Sequence, residues 1–236
     1  MGRAAGLLVA ALLVVTMGGC SSDSSADGPS SPAARVTQSP VQEALAAGLT
    51  KENPARAELV TAEETTLTPV EAPWLRGWQV LDVQSFAEYP QRFYAALGDN
   101  GTALVLSGSP DSFNLMVRGA GVQVGDASRA TDVAIVYLNV TRSFERYSYR
   151  IDALAEVQWR PEFDAAQQQR RDALETQYAG LVQPPTAEPS GTGWAVTAWM
   201  VDDRTLVHHR LTIDADGVVH DIADVVATDL PVPATF

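Results

Sequence analysis

One cysteine and one lysine in 236 residues set the first limits on this chain. With Cys20 alone, no intrachain disulfide can form in any compartment. Every basic residue other than Lys51 is arginine, which with abundant Ala, Val and Asp points to a GC-rich bacterial coding sequence. Positive charge is scarce overall: 16 Lys and Arg stand against 29 Asp and Glu, a formal net charge of −13. Phosphate backbones repel such a body, and nucleic-acid binding is excluded. No glycine-rich phosphate loop with Gly-Lys-Ser/Thr and no Gly-x-Ser-x-Gly elbow occurs, and Gly119–Gly125 lacks the strand–glycine–helix order a phosphate loop needs. There is no internal repeat.

What is present begins at the N-terminus. Arg3 and the free amine supply positive charge, and Ala4 to Met17 follow without a charged side chain. That run has the length of a secretory apolar core and is too short to span a bilayer comfortably. Gly18, Gly19 and Cys20 come next. Together these residues resemble the bacterial lipoprotein signal, with Met17-Gly18-Gly19-Cys20 as its lipobox and Met17 standing where the pattern usually has Leu. The resemblance implies removal of residues 1–19 as signal peptide, diacylglyceryl transfer to the Cys20 thiol and acylation of its new amine. Two acyl chains suffice for stable anchoring at the outer face of the cell membrane. Residues 20–40, rich in Ser, Pro and Asp, read as a flexible tether with a reach of roughly 25 Å. Loss of Arg3 leaves 15 basic against 29 acidic residues, so the anchor should be the only membrane contact.

Residues 41–72 read as an extension of uncertain structure. Val41 to Leu49 suits a short helix that Asn53-Pro54 breaks, and Thr65 to Thr68 suits an edge strand or loop. Residues 73–236 read as a single α+β domain. Trp78 to Phe86 has strand character, and Gly98-Asp99-Asn100-Gly101 joins Arg92–Leu97 to Thr102–Leu106 as a hairpin. Pro110 to Val117 suits a helix capped by Ser109, and Ala130 to Phe144 a helix capped by Ser128. Arg146 to Ile151 alternates as a strand continuing toward Trp159, and Pro161 to Ala179 has the clearest helical spacing. After a loop from Pro184 to Gly193, Trp194–Val201, Leu206–Ile213 and Val218–Val226 form a meander. The fold class is therefore a mostly antiparallel sheet with a C-terminal three-stranded meander and two or three packed helices. In outline the meander is similar to curved cystatin/NTF2-like sheets, though no residue motif carries that likeness.

Candidate chemistry gathers in the last hairpin, where His208, His209 and His220 lie near Asp214, Asp216, Asp221 and Asp224. Adjacent His208 and His209 point to opposite strand faces, so only one can join His220. Pairing Ile213 with Val218 selects His209. A bulged turn at Gly217, pairing Ile213 with Val219, selects His208. Neither register supplies an evident third ligand. Asp214-Ala215-Asp216-Gly217 lacks the further oxygens of a calcium loop and reads as a turn. Arg142, Arg146 and Arg150, with Arg170 and Arg171, are basic spots; Arg146 and Arg150 could grip an anion, or pair with Glu145 and Asp152. Asn139-Val140-Thr141 matches a glycosylation sequon, by chance in a bacterial chain. Trp194 and Trp199 lie on opposite faces of one strand, which must therefore be covered on both sides: helices can cover one face, and residues 41–72, a partner or an apolar ligand the other, unless both simply pack in the core. These readings identify Cys20 as a lipidation site and no catalytic, metal or cofactor-binding residue. They favour a membrane-anchored, non-enzymatic binding or accessory domain with a protein or small-molecule partner. Two alternatives are a carrier of an apolar molecule or lipid, and a metal-dependent hydrolase using His220 with His208 or His209.

Overall fold

The computed structural model describes residues 39–86 and 90–233; the expected signal peptide, Cys20 and the tether up to residue 38 lie outside them. Three helices begin at a polar residue followed by proline. They are α1 (Pro40–Leu49), α2 (Pro54–Thr61) and α3 (Pro110–Gly119), capped by Ser39, Asn53 and Ser109. Each cap side chain accepts a backbone N–H two residues past the proline, whose fixed φ suits the first turn. Asn53-Pro54 thus starts a helix as well as ending one. Asp126 caps α4 (Ala127–Thr141), two residues ahead of the expected Ser128. Asp164 and Gln167 close a capping box on α5 (Ala165–Tyr178), so this helix begins after Pro161 and Phe163 rather than with them.

The strands form two antiparallel sheets instead of one. The first runs in the order β1 (Thr65–Val70), β2 (Trp78–Ser85), β3 (Gln91–Gly98), β4 (Ala103–Val105). The second contains β5 (Ser148–Ile151), β6 (Thr186–Ser190), β7 (Gly193–Asp202), β8 (Thr205–Ile213) and β9 (Val219–Ala227). Its order is β5-β7-β8-β9, with β6 also paired to β7. β5 takes Trp199–Asp202 and β6 takes Gly193–Thr197, so the two share one edge of β7. β5 therefore stops at Ile151, and Leu154–Glu156 turns as a 3-10 helix instead of extending toward Trp159.

Alternation of side chains across each strand builds three cores. Leu81, Val83, Phe93 and Ala95 meet Leu45, Leu49 and Val60, so α1 and α2 cover the outer face of the first sheet, whose edge is β1. Val80, Tyr94 and Ala96 on its other face share a central core with Phe113, Met116, Val133 and Tyr137 of α3 and α4. Val196, Ala198, Met200, Leu211 and Ile213 of the second sheet complete that core. Beyond it, Trp199, Val201 and Leu206 pack on Leu174 and Tyr178 of α5. Helical and sheet layers alternate. Burying each large aliphatic or aromatic side chain contributes about 1.5–3 kcal/mol. β7 is apolar on both faces because the protein covers both: α4 on one side, α5 on the other.

Candidate functional site

The turn after β8 decides which histidine faces inward. Gly217 adopts φ +80°, its N–H donates to the Asp214 carbonyl at 2.9 Å, and Ile213 pairs with Val219. A side chain at 217 would strike Val117 and Val122, at 2.8 and 2.9 Å from a Cβ. Asn114 on α3 holds Val219. Its amide donates to the Val219 carbonyl and its oxygen accepts the Val219 N–H, both at 2.9 Å. In this register His208 shares the outer face with His220, while His209 and Asp221 face the central core.

His208 and His220 do not converge. Their partners, Asp224 and Thr212, place them four residues apart along the ladder, roughly 13 Å at strand rise. His208 instead stacks on Trp199 with ring centroids 4.4 Å apart, and His220 Nε2 lies 3.9 Å from Asp214. Burial beside Trp199 and the nearby Arg210 push the His208 imidazole below its ordinary value, against the opposing pull of Asp224. Among the described residues no group of three or more His, Cys, Asp and Glu is placed to hold a metal ion.

His209 has a different setting. Its Nδ1 lies 2.9 and 3.1 Å from the two Asp221 oxygens, and the side chains are 13% and 16% exposed. An ionised carboxylate only accepts, so Nδ1 carries the proton; in the neutral ring Nε2 then presents a lone pair. Nε2 has no hydrogen-bond partner among the described residues. The imidazole lines a cleft of about 220 Å³ between the end of α4 and the inner face of the second sheet.

Tyr137, Leu138 and Arg142 form the opposite wall, with Met200 and Pro110 as apolar neighbours. Tyr137 is 4% exposed and packs edge-on against Phe113, at 5.2 Å between centroids. Its hydroxyl makes no hydrogen bond to a described residue. Burial, reinforced by Asp221 and Asp111, pushes that hydroxyl well above its ordinary value, so it stays a donor. Arg142 ends α4. Its guanidinium donates to the Ser148 carbonyl and lies 4.9 Å from the Phe144 ring centre. No carboxylate pairs with it among the described residues, and its enclosed Nε lacks an acceptor. Arg146 sits at the rim, 3.5 Å from Asp202. A wider depression of about 600 Å³ adjoins across Ser143, but Arg92 in its wall is bound through two bonds to Asp82, at 2.9 and 2.7 Å.

The other arginines noted in the sequence scatter. Arg150 pairs with Asp152, Arg170 donates to the Thr228 carbonyl, and Arg171 pairs with Asp172 and Glu175. Arg146 and Arg150 do not form a common grip. What the sequence left unassembled was the pairing of His209 with Asp221 under Tyr137 and Arg142. Strand parity in the bulged register is the signal that places His209 and Asp221 together; Tyr137 lies near the end of α4 and Arg142 is its C-cap. The chain matches no protein-family model, no curated protein and no solved structure.

Proposed function

We propose that this is an extracytoplasmic lipoprotein, held at the outer face of a bacterial cell membrane by acyl chains on Cys20. Its folded part is a non-enzymatic binding or accessory module that acts through the Tyr137–Arg142–His209 cleft. The order of positive charge, apolar run, small residues and cysteine over residues 1–20 supports the address. Among the described residues no helix is long and apolar enough to cross a membrane, and lipid on Cys20 would supply the attachment.

One observation carries the binding role. The cleft keeps hydrogen-bonding capacity that folding does not use: the Tyr137 hydroxyl, His209 Nε2 and the uncompensated Arg142 charge. The Arg142 Nε is enclosed without an acceptor, and buried polar groups are normally satisfied within the protein or by ligand and water.

Two measurements test the two halves. In cells fed labelled palmitate, the wild type should carry label and sediment with membranes, and Cys20→Ala should do neither; an unlabelled wild type ends the anchor reading. For the domain, a fragment set spanning anions, cations and neutral molecules should shift histidine and tyrosine NMR signals of the cleft. Silence at the cleft across the whole set ends the binding reading.

A further inference from the structure

The Tyr137 hydroxyl, His209 Nε2 and the charge of Arg142 differ in what they require, and together they define a ligand. Arg142 is a cation in a chain of net charge −13, and although Asp202 and Asp221 line the same cleft, no carboxylate among the described residues forms an ion pair with it. Of the carboxylates nearby, Asp202 is turned to Arg146 and Asp221 to His209. Arg142 therefore favours an oxyanion. The Tyr137 hydroxyl donates to the same kind of atom. His209 is the opposite case. With a proton fixed on Nδ1 by Asp221, the neutral ring accepts at Nε2, and in that form it calls for a hydroxyl or N–H on the ligand. Leu138, Met200 and Pro110 add apolar wall. At about 220 Å³ the space lies below the roughly 300–1,000 Å³ range of drug-sized sites.

We propose, resting on the binding reading above, that the cleft takes a small hydroxy acid. Its carboxylate meets Arg142 and the Tyr137 hydroxyl, its hydroxyl donates to His209 Nε2, and its carbon body lies against Leu138 and Met200. Leaving the hydroxyl out leaves His209 Nε2 without a ligand partner, and leaving the carboxylate out leaves Arg142 without an anion. Each omission costs about tenfold or more in affinity.

The test uses full-length protein with isotope-labelled histidine and three probes of nearly equal size. Mandelate carries both groups, phenylacetate lacks the hydroxyl, and 1-phenyl-1,2-ethanediol lacks the carboxylate. His208 and His220, on the outer face, serve as references in the same sample. Mandelate should shift the His209 ring signals saturably and leave the other two in place. Phenylacetate and the diol should each bind at least about tenfold more weakly. Arg142→Gln should weaken mandelate by a similar factor, and Tyr137→Phe, which keeps the ring packed on Phe113, should weaken it without unfolding the domain. Equal binding of mandelate and phenylacetate, joint movement of all three histidines, or no saturable shift with mandelate would each overturn the proposal. If mandelate is silent while cationic or neutral fragments move His209, the hydroxy-acid assignment falls and the binding role stands. If no fragment of any class moves the cleft signals, both fall.

Discussion

Replacing Gly48 by alanine is, for α1 taken alone, a stabilising change, because alanine exceeds glycine by about 1 kcal/mol within a helix. The packing of α1 reverses the sign. A methyl group at this position would stand 2.6 Å from the Ala103 Cβ, 2.7 Å from the Gly101 carbonyl oxygen and 3.1 Å from the Ala103 nitrogen. Two of these atoms are backbone of the β3–β4 hairpin, so no rotamer change gives relief. The nearest falls roughly 0.8 Å short of the 3.4 Å at which ordinary contact begins. α1 must lift away from the hairpin, and Leu45 and Leu49, both buried against Phe93 and its neighbours, lift with it. Overpacking of this kind costs typically about 1–3 kcal/mol, and partial exposure of two leucines adds to it. After subtracting the helical gain, a net loss of about 1–3 kcal/mol is expected.

For a chain of this size each kcal/mol moves the midpoint of thermal unfolding by about 2–4 °C. Urea unfolding followed by tryptophan fluorescence should place Gly48→Ala below the wild type with an unchanged slope. Gly180→Ala supplies the control. A Cβ there meets nothing within 4 Å, so its effect should stay within about 0.5 kcal/mol. A higher urea midpoint for Gly48→Ala would refute the reasoning, since it would mean that helix propensity governs and that α1 does not seat on the hairpin.

Asn114→Ala should cost about 2–4 kcal/mol in the same assay, because it leaves the N–H and carbonyl of buried Val219 without partners. Asp164→Ala should cost about 1 kcal/mol by opening the α5 capping box, with faster hydrogen exchange in its first turn, whereas Asp164→Asn should nearly restore both. For His208 the folded protein favours the neutral ring more than the unfolded chain does. Its contribution to stability is therefore present above about pH 6.5 and fades as pH falls through the lower folded value. His208→Phe, which preserves an aromatic stack on Trp199, should flatten the stability profile just below pH 6.5; an unchanged slope there would remove His208 as its source.

Elements set by their own residues were legible in the sequence. The Gly98–Gly101 hairpin, the Ser109-Pro110 helix start and the closing meander fall where local chemistry puts them. Elements that depend on a distant partner were not. β6 contains Pro189, is largely exposed and exists as a strand because half of one β7 edge is open to it. The shortness of β5 follows from the same sharing. α2 was hidden by Asn53-Pro54, which carries both a helix stop and a helix start, and only packing of Ala57 and Val60 on the first sheet shows which follows. Alternation in the strands showed which side chains face inward, but not that the inward faces belong to two sheets separated by α3 and α4.

The cleft depends on one residue of register. Had Ile213 paired with Val218, strand parity would have turned Asp221 to the outer face, and His209 would share the inner face with His220 without that carboxylate. Two features oppose this slip, and both come from elsewhere in the chain. Gly217 holds a left-handed conformation with Val117 and Val122 pressed against it, so the bulged turn is packed into the central core. Asn114 fills both backbone bonds of Val219, and a shift by one residue would present it with Val218 or His220 instead. α3 thus fixes the register of a hairpin 105 residues later in the chain, and that register puts the Asp221 carboxylate on His209 Nδ1. The tautomer of His209, and with it the acceptor that the cleft offers a ligand, follows from the turn at Gly217.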